Sequence, residues 1–532
     1  MPQSSRTMRL LTTWLVLGVA SAIALAETNT HKPGDFVASD NPVASAIALA
    51  ETNTLEIRKL SLEDCIQSAL QKNLDLQIAR YSPPLAAMDL QGSYGGYDPA
   101  FAISGSHNFS MSGGGFNSTL GTDTAATTSD QTAFSSSLGG LTPWGLNYTL
   151  SGNVAETYGS AGSSSTAFDQ SGGGASIKMT QPLLKNFWTD STRMSIRVAK
   201  NRVKYSEQGL RLQLMQTVTS VETAYYDLIY NRENVVVQQK AVELALQLAA
   251  ENRKRVEVGS LAPLDAQQAE SQAASAQATL IAALNTSGTQ ERLLKQLITD
   301  QYSRWAKVRL ETVGTLTAPR QFFNLQDSWS KGLTQRPDLL QAKLDVERQG
   351  ITLKYNYNQL FPELDLVGSY GHNASGSDLR EFSDAFNTIA EGSRPTYSYG
   401  GQLSYSIPNT AARATYKKSK LTMEQLVLTL KKLEQTIMVQ IDNDIGAARA
   451  SFEAVAATRL AREYAAAALD AEQKKFESGK STTYTVLQMQ RDLTTARGNE
   501  IQALDSYRKA LAQISLDEGS TLQRLAIDVE VK

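Results

Sequence analysis

Residues of the types that usually do chemistry are few in this chain. Its 532 residues include three histidines (His31, His107, His372) and one cysteine, Cys65. One cysteine forms neither a disulfide framework nor a Cys-rich metal site. His107 falls in an alternating strand pattern, His372 just past one in a loop, and Cys65 on an amphipathic helix. The runs Gly113–Gly115 and Gly172–Gly174 lack the Lys-Ser/Thr that opens a phosphate-binding helix, so they are no nucleotide signature. No Ser/His/Asp set or carboxylate pair converges by spacing. The sequence predicts no enzyme, no catalytic residue, no cofactor and no metal.

The positions that do stand out are two turns. Arg255-Val256-Glu257-Val258-Gly259 lies over Lys475-Phe476-Glu477-Ser478-Gly479, a shift of 220 residues. Glycine just past a periodic helical run is a C-cap signal. Asp265 follows the first turn, where an acid interacts favourably with the dipole of the next helix.

The elements around those turns are unusual. Charge nearly cancels, 51 Lys+Arg against 53 Asp+Glu giving −2, which argues against a nucleic-acid partner. Hydrophobic residues make up 41% and aromatic ones 7%. Beyond the N-terminus no apolar run reaches the ~20 residues of a spanning helix. Arg6 and Arg9 precede the apolar stretch Leu10–Leu25, ending in Ala24-Leu25-Ala26, which describes a signal peptide over residues 1–26. A membrane anchor fits less well because Thr12, Thr13 and Ser21 interrupt the run. The segment VASAIALAETNT occurs at 19–30 and again at 43–54, a tandem duplication that supplies a second A-x-A site. Residues 27–59 are expected to be a disordered tail.

The rest reads as two similar halves: residues 60–300, a linker over 301–325, residues 326–516, and a tail over 517–532. Each half runs helix, β segment, very long helix, turn, long helix. Ser61 and Asp64 open the first helix, which the pattern carries to Arg80. The β segments (about 100–183 and 363–408) alternate: Phe101, Ile103, Gly105, His107, Phe109 share one face, as do Leu364, Leu366, Gly368, Tyr370. Such strands of 8–10 residues with Tyr at their ends suit a transmembrane β-barrel; the alternative is a soluble β-sandwich, less easily reconciled with strands split by long helices. Phe187 and Trp188 suit an interfacial aromatic girdle. The Ser/Thr/Gly-rich stretch Ser110–Thr166 is expected to form exposed loops.

Leu214, Val221, Leu228, Val235, Val242, Ala249 and Val256 recur every seven residues, which means supercoiled helix packing. A helix over 193–256 would span roughly 96 Å. Its mate over 411–478 carries Leu430, Leu433, Ile437, Ile441, Ile445, Ala448, Phe452 and Val455. Partner helices follow over 263–297, with Ala266, Ala269, Ala273 and Ala276 as a close seam, and over 483–514.

This composite resembles the TolC-like outer-membrane efflux protein family over residues 60–516. The resemblance is carried by LSLEDCIQSALQKNLDLQIAR, by TQPLL at Thr180–Leu184, by VEVGSLAPLDAQQAE at 256–270, and by their second-half counterparts. It implies a mixed α and β membrane fold: an antiparallel transmembrane β-barrel and a long coiled-coil α-helical periplasmic barrel, shared by a homotrimer. Members usually have two strands per half; an extra candidate hairpin, Thr132–Val154, departs from this and either enlarges the barrel or forms an outer loop.

The implied function is a passive exit duct in the outer-membrane lipid. It would be fed by a periplasmic adaptor and an inner-membrane pump of the RND, ABC or MFS type. By resemblance, Val258, Gly259, Ser260, Leu261, Ser478, Gly479, Lys480 and Ser481 dock the adaptor, and Asp265, Tyr484 and Thr485 line an aperture. Thr485 and Gln488 stand where acids would complete a charged ring, which leaves Asp265 without an acidic mate. The other reading is a cell-envelope structural or adhesion protein that uses the helices as a spacer.

Overall fold

A computed structural model describes residues 56–117, 119, 121–161, 166–376 and 378–527. The predicted signal peptide and both copies of VASAIALAETNT lie outside these residues. The end of the predicted disordered tail is ordered: Glu56–Leu60 forms strand β1.

Ser61 caps helix α1 (Leu62–Lys72): its hydroxyl accepts from the Asp64 N–H at 3.2 Å, and the Asp64 carboxylate accepts from the Ser61 N–H at 3.0 Å. The helix does not continue to Arg80 as the pattern suggested. Asn73 breaks it in an extended conformation and caps a new helix, α2 (Leu74–Ala79). The Asn73 amide also donates to Leu297 O at 3.0 Å, a tertiary contact that repays the lost turn. A third helix, α3 (Ser82–Tyr94), starts on Pro83 and Pro84, where the first-turn N–H groups have no helical partner anyway.

The first β region holds β2 (Ala100–Ser112), β3 (Thr127–Leu141), β4 (Asn147–Ala161) and β5 (Thr166–Pro182). Next come α4 (Ser191–Glu257), α5 (Pro263–Ile298) and β6 (Val308–Thr312). The second half gives α6 (Leu325–Gln335), α7 (Pro337–Asn358), β7 (Glu363–Ala374), α8 (Phe382–Glu391), β8 (Pro395–Ser404), α9 (Thr410–Glu477) and α10 (Thr483–Asp517). Strands from both halves join in one six-stranded sheet of order β8-β7-β5-β4-β3-β2, antiparallel throughout.

Register explains the two faces of the sheet. Gly105, Phe134, Val154, Gly173 and Ala374 are partners across successive strands, so they share a face. Period-two alternation puts Ile103, Leu150, Ile177 and Tyr370 on that face too, with His107, Thr132 and Glu156 farther from the helices, and Ser104, Ser135, Ser151, Asn153 and Ser176 on the other. The stretch Ser110–Thr166, expected as loops, is therefore mostly strand. Its small hydroxyl residues bond across strands on the polar face, as in Ser104–Ser135 at 2.7 Å and Ser151–Ser176 at 3.2 Å. His372, expected in a loop, lies within β7. The extra hairpin is part of the sheet.

Helix α8 crosses the apolar face. Its Phe382 ring sits 5.6 Å from that of Phe134, and Ala385 is buried against Ala374 and Leu379. The stretch expected as a linker also holds structure: β6 pairs in parallel with β1. Beyond α10, Thr521 and Leu522 are buried and Arg524 donates to the buried Glu222 at 2.7 Å, so the predicted tail begins as packed chain.

The heptad positions Leu214, Val221, Leu228, Val235, Val242 and Ala249 are buried, with Val256 half-buried near the helix end. On α9, Ile437, Ile441, Ile445 and Ala448 form a core with Leu339 and Ile514. The alanine seam of α5 holds, since Ala266, Ala269 and Ala273 are buried.

Candidate functional site: the paired helix tips

Both long helices end in the same turn. Gly259 N–H donates to Val256 O at 2.9 Å and Ser260 N–H to Arg255 O at 2.8 Å. Gly479 N–H donates to Phe476 O at 3.1 Å and Lys480 N–H to Lys475 O at 2.8 Å. This double closure is a Schellman motif, which needs a left-handed residue past the cap. The glycines supply it, with φ of +75° at Gly259 and +74° at Gly479.

The returning helices start differently. α5 begins on Pro263 after Ala262, with no side-chain cap. α10 is capped by Thr482, whose Oγ1 accepts from the Thr485 N–H at 3.3 Å. Asp265 and Thr485 occupy matching positions and both are half-buried; Leu264 and Tyr484, one residue earlier, are both 63% exposed. Among the described residues Asp265 has no ion pair. One tip thus carries a carboxylate where the other carries a hydroxyl.

The two tips are bound to each other. Asn252, fully buried on α4, donates from Nδ2 to Thr483 Oγ1 at 3.2 Å and lies 3.5 Å from Asp265 O. The Arg255 guanidinium sits over the Phe476 ring, 4.5 Å from its centroid. Beneath them Leu248 packs with Leu469, Phe476, Val486, Leu487 and Leu493. Ser481 Oγ donates to Glu472, and that hydrogen bond, followed by the one from Lys475, holds the Glu472 carboxyl below its usual range. Val258, Gly259, Ser260, Gly479 and Lys480 remain exposed, and Leu261 and Ser481 are half-buried.

All the residues singled out from the sequence therefore fall on two adjoining tips. Asn252, Arg255 and Glu472 were missed as contributors. A signal existed for two of them: Asn252 and Glu472 stand 220 positions apart, the same shift that relates the turns.

The sequence profile described as "Outer membrane efflux protein" matches residues 145–299 and 329–516. The chain belongs to this family. The matched segments take in both long helical hairpins and β7–β8, and begin within the extra hairpin. Efflux proteins form a transport family, not an enzyme family. This outer membrane efflux protein is 25% identical to the outer membrane protein TolC of Vibrio cholerae over 370 residues, covering 67% of this chain and 78% of TolC. It is 24% identical to the outer membrane efflux protein BepC of Brucella suis over 337 residues, covering 62% and 68%. The fold is similar to the Campylobacter jejuni CmeC outer membrane channel, with a TM-score of 0.62 at 16% identity over 87% and 88% of the two chains. It is also similar to VceC of Vibrio cholerae, with 0.63 at 14% identity over 86% and 96%.

Proposed function

We propose that this outer membrane efflux protein is the exit duct of a tripartite efflux or type I secretion system and conducts substrates passively across the periplasm and outer membrane. Three copies would close their sheets into one barrel and their helices into one tunnel. The observation that carries this reading is the joining, in one chain, of a sheet apolar on one face to helices of 67 and 68 residues. Such helices are roughly 100 Å long. A sheet whose face is apolar over the half nearest the helices (Phe101, Ile103, Leu138, Leu150, Ile177, Leu366), open at both edges, suits lipid only when closed, because hydrocarbon leaves no unpaired backbone group solvated.

In this arrangement the tips are the far end of the tunnel. Val258–Leu261 and Ser478–Ser481 would dock a periplasmic adaptor, through which an inner-membrane pump delivers substrate. Asp265, Tyr484 and Thr485 would narrow the aperture. Lacking a charged ring of six, that aperture would restrict by bulk at Tyr484 as much as by charge at Asp265.

Purified protein reconstituted in planar bilayers tests the reading: discrete ion conductance is expected. A spacer would insert without conducting, and that outcome overturns the duct. Cysteines placed along both turns should cross-link to a periplasmic adaptor, and failure at every position would remove the docking role.

A further inference from the structure

The sheet has two more strands than the helices supply. β2 follows α3, β5 leads to α4, β7 follows α7 and β8 leads to α9, so four strands connect directly to helices. β3 and β4 connect only to strands. Their hairpin turn is nonetheless fastened to the helical layer. Gly145 takes φ +92°, a left-handed conformation that glycine favours, and its N–H donates to Thr142 O at 2.9 Å. Arg193, in the first turn of α4, donates from Nε and Nη2 to Pro143 O at 2.9 and 2.7 Å and from Nη1 to Phe187 O at 2.6 Å. Asp190 steadies the guanidinium at 3.2 Å, and both side chains are largely buried. The hairpin is thereby held at the same end of the sheet as the roots of the other strands.

Its side chains continue both faces. Phe134, Leu138, Leu150 and Val154 extend the apolar face, and Ser135 and Ser151 the polar one. The outer strands β2 and β8 are exposed along their whole length. In a six-stranded alternating sheet they run in opposite directions. The β2 of one copy and the β8 of the next would therefore meet antiparallel, as every pair within the chain does.

We infer that the hairpin Thr127–Ala161 is part of the barrel wall, so that three copies close an eighteen-stranded barrel through a β2–β8 junction between copies. This rests on the trimeric-duct reading. With the hairpin folded aside, the same chains would give twelve strands. Barrel width grows roughly linearly with strand number, so eighteen strands make a wall about half as wide again, in the class that leaves an open aqueous channel. The barrel is then not the restriction on cargo size, and the helix tips are.

Disulfide trapping in a Cys65→Ala background tests this. Ser106→Cys on β2 is paired in turn with Ser398→Cys, Gly400→Cys and Gln402→Cys on β8, all on the polar face. At least one pair should give covalently linked trimers. Ser104→Cys with Ser176→Cys should not link within a chain, because two intervening strands separate them by about 14 Å, beyond the roughly 7 Å that a disulfide spans between Cα atoms. Electron microscopy of the trimer in nanodiscs should count eighteen strands. A conducting trimer with twelve strands, or with Ser104→Cys linked to Ser176→Cys, overturns the inference and leaves the duct standing. A non-conducting monomer overturns both.

Discussion

Asn252 Nδ2 donates to Thr483 Oγ1 across 3.2 Å, and Thr483 begins the returning helix of the opposite half. This hydrogen bond makes the two tips of a chain one mechanical body. The matching residue, Glu472, accepts from Ser481 and so fastens its own turn instead. Equivalent positions have divided two tasks: one joins the halves, the other stiffens one of them.

Asn252→Ala should loosen the tips without unfolding the rest. It leaves a buried hydroxyl short of a partner, at a cost of about 1–3 kcal/mol. Hydrogen exchange should quicken in residues 258–265 and 478–485 and stay unchanged in the sheet. Closed-state leak in bilayers should rise. Identical exchange in variant and parent would show that the tips are held by their apolar packing alone.

The turn glycines allow a clean backbone experiment. A Cβ at Gly259 or Gly479 would meet nothing within 4 Å, so only the left-handed conformation opposes it. Gly259→Ala and Gly479→Ala should each destabilise the tip by about 1–2 kcal/mol. Asparagine, which tolerates this region, should cost less. Limited proteolysis at the turns reads the difference, and equal cleavage of the alanine and asparagine variants would refute it.

How much of this was legible depended on whether the signal repeated. The heptads of α4 were readable because burial recurs every seven residues from Leu214 to Ala249. The turns were readable because glycine has a conformational reason to be there. The break at Asn73 was not: its Oδ1 caps α2 locally from the Leu76 N–H, but the contact that fixes its amide, to Leu297 O, comes from a partner 224 residues away. The start of β3, before the candidate hairpin at Thr132, reads as loop because clustered serines, threonines and glycines are a poor strand signal in isolation. They become strand residues only when a neighbouring strand supplies partners, as Ser104 does for Ser135. The joining of the tips was likewise invisible, since Asn252 and Thr483 are linked only by packing.

Asp265 should bias the aperture toward cations. A carboxylate about 10 Å from an ion in water contributes about 0.4 kcal/mol, roughly a factor of two in the local ion ratio. Asp265→Ala should shift the reversal potential in a salt gradient toward the non-selective value. Thr485→Asp, at the matching position, should move it the other way and sharpen block by multivalent cations. If neither variant moves the reversal potential, the side chain does not face the ion path and acts only at the start of α5.

Stability should also depend on Asp444 of α9, which stands near Asp517 and Arg336. Arg336 pairs with Asp517 at 3.0 Å and with Asp338 at 2.9 Å, so its charge is already engaged. Asp444 Oδ2 is buried with no hydrogen-bond partner. Burial first, and the Asp517 carboxylate second, push the Asp444 carboxyl from 3.8 up to about 7. The sign follows from linkage. Below the unfolded value the group is protonated in both states and costs nothing. Between the two values the unfolded chain releases its proton and the folded chain retains it, so stability falls as pH rises, and the penalty is complete above the folded value. Asp444→Asn removes that penalty. Its gain in Tm over the parent should be largest near pH 8 and shrink toward about pH 4. An equal gain at both ends would mean that the substitution acts through packing on α9, and that the Asp444 proton is not taken up on folding.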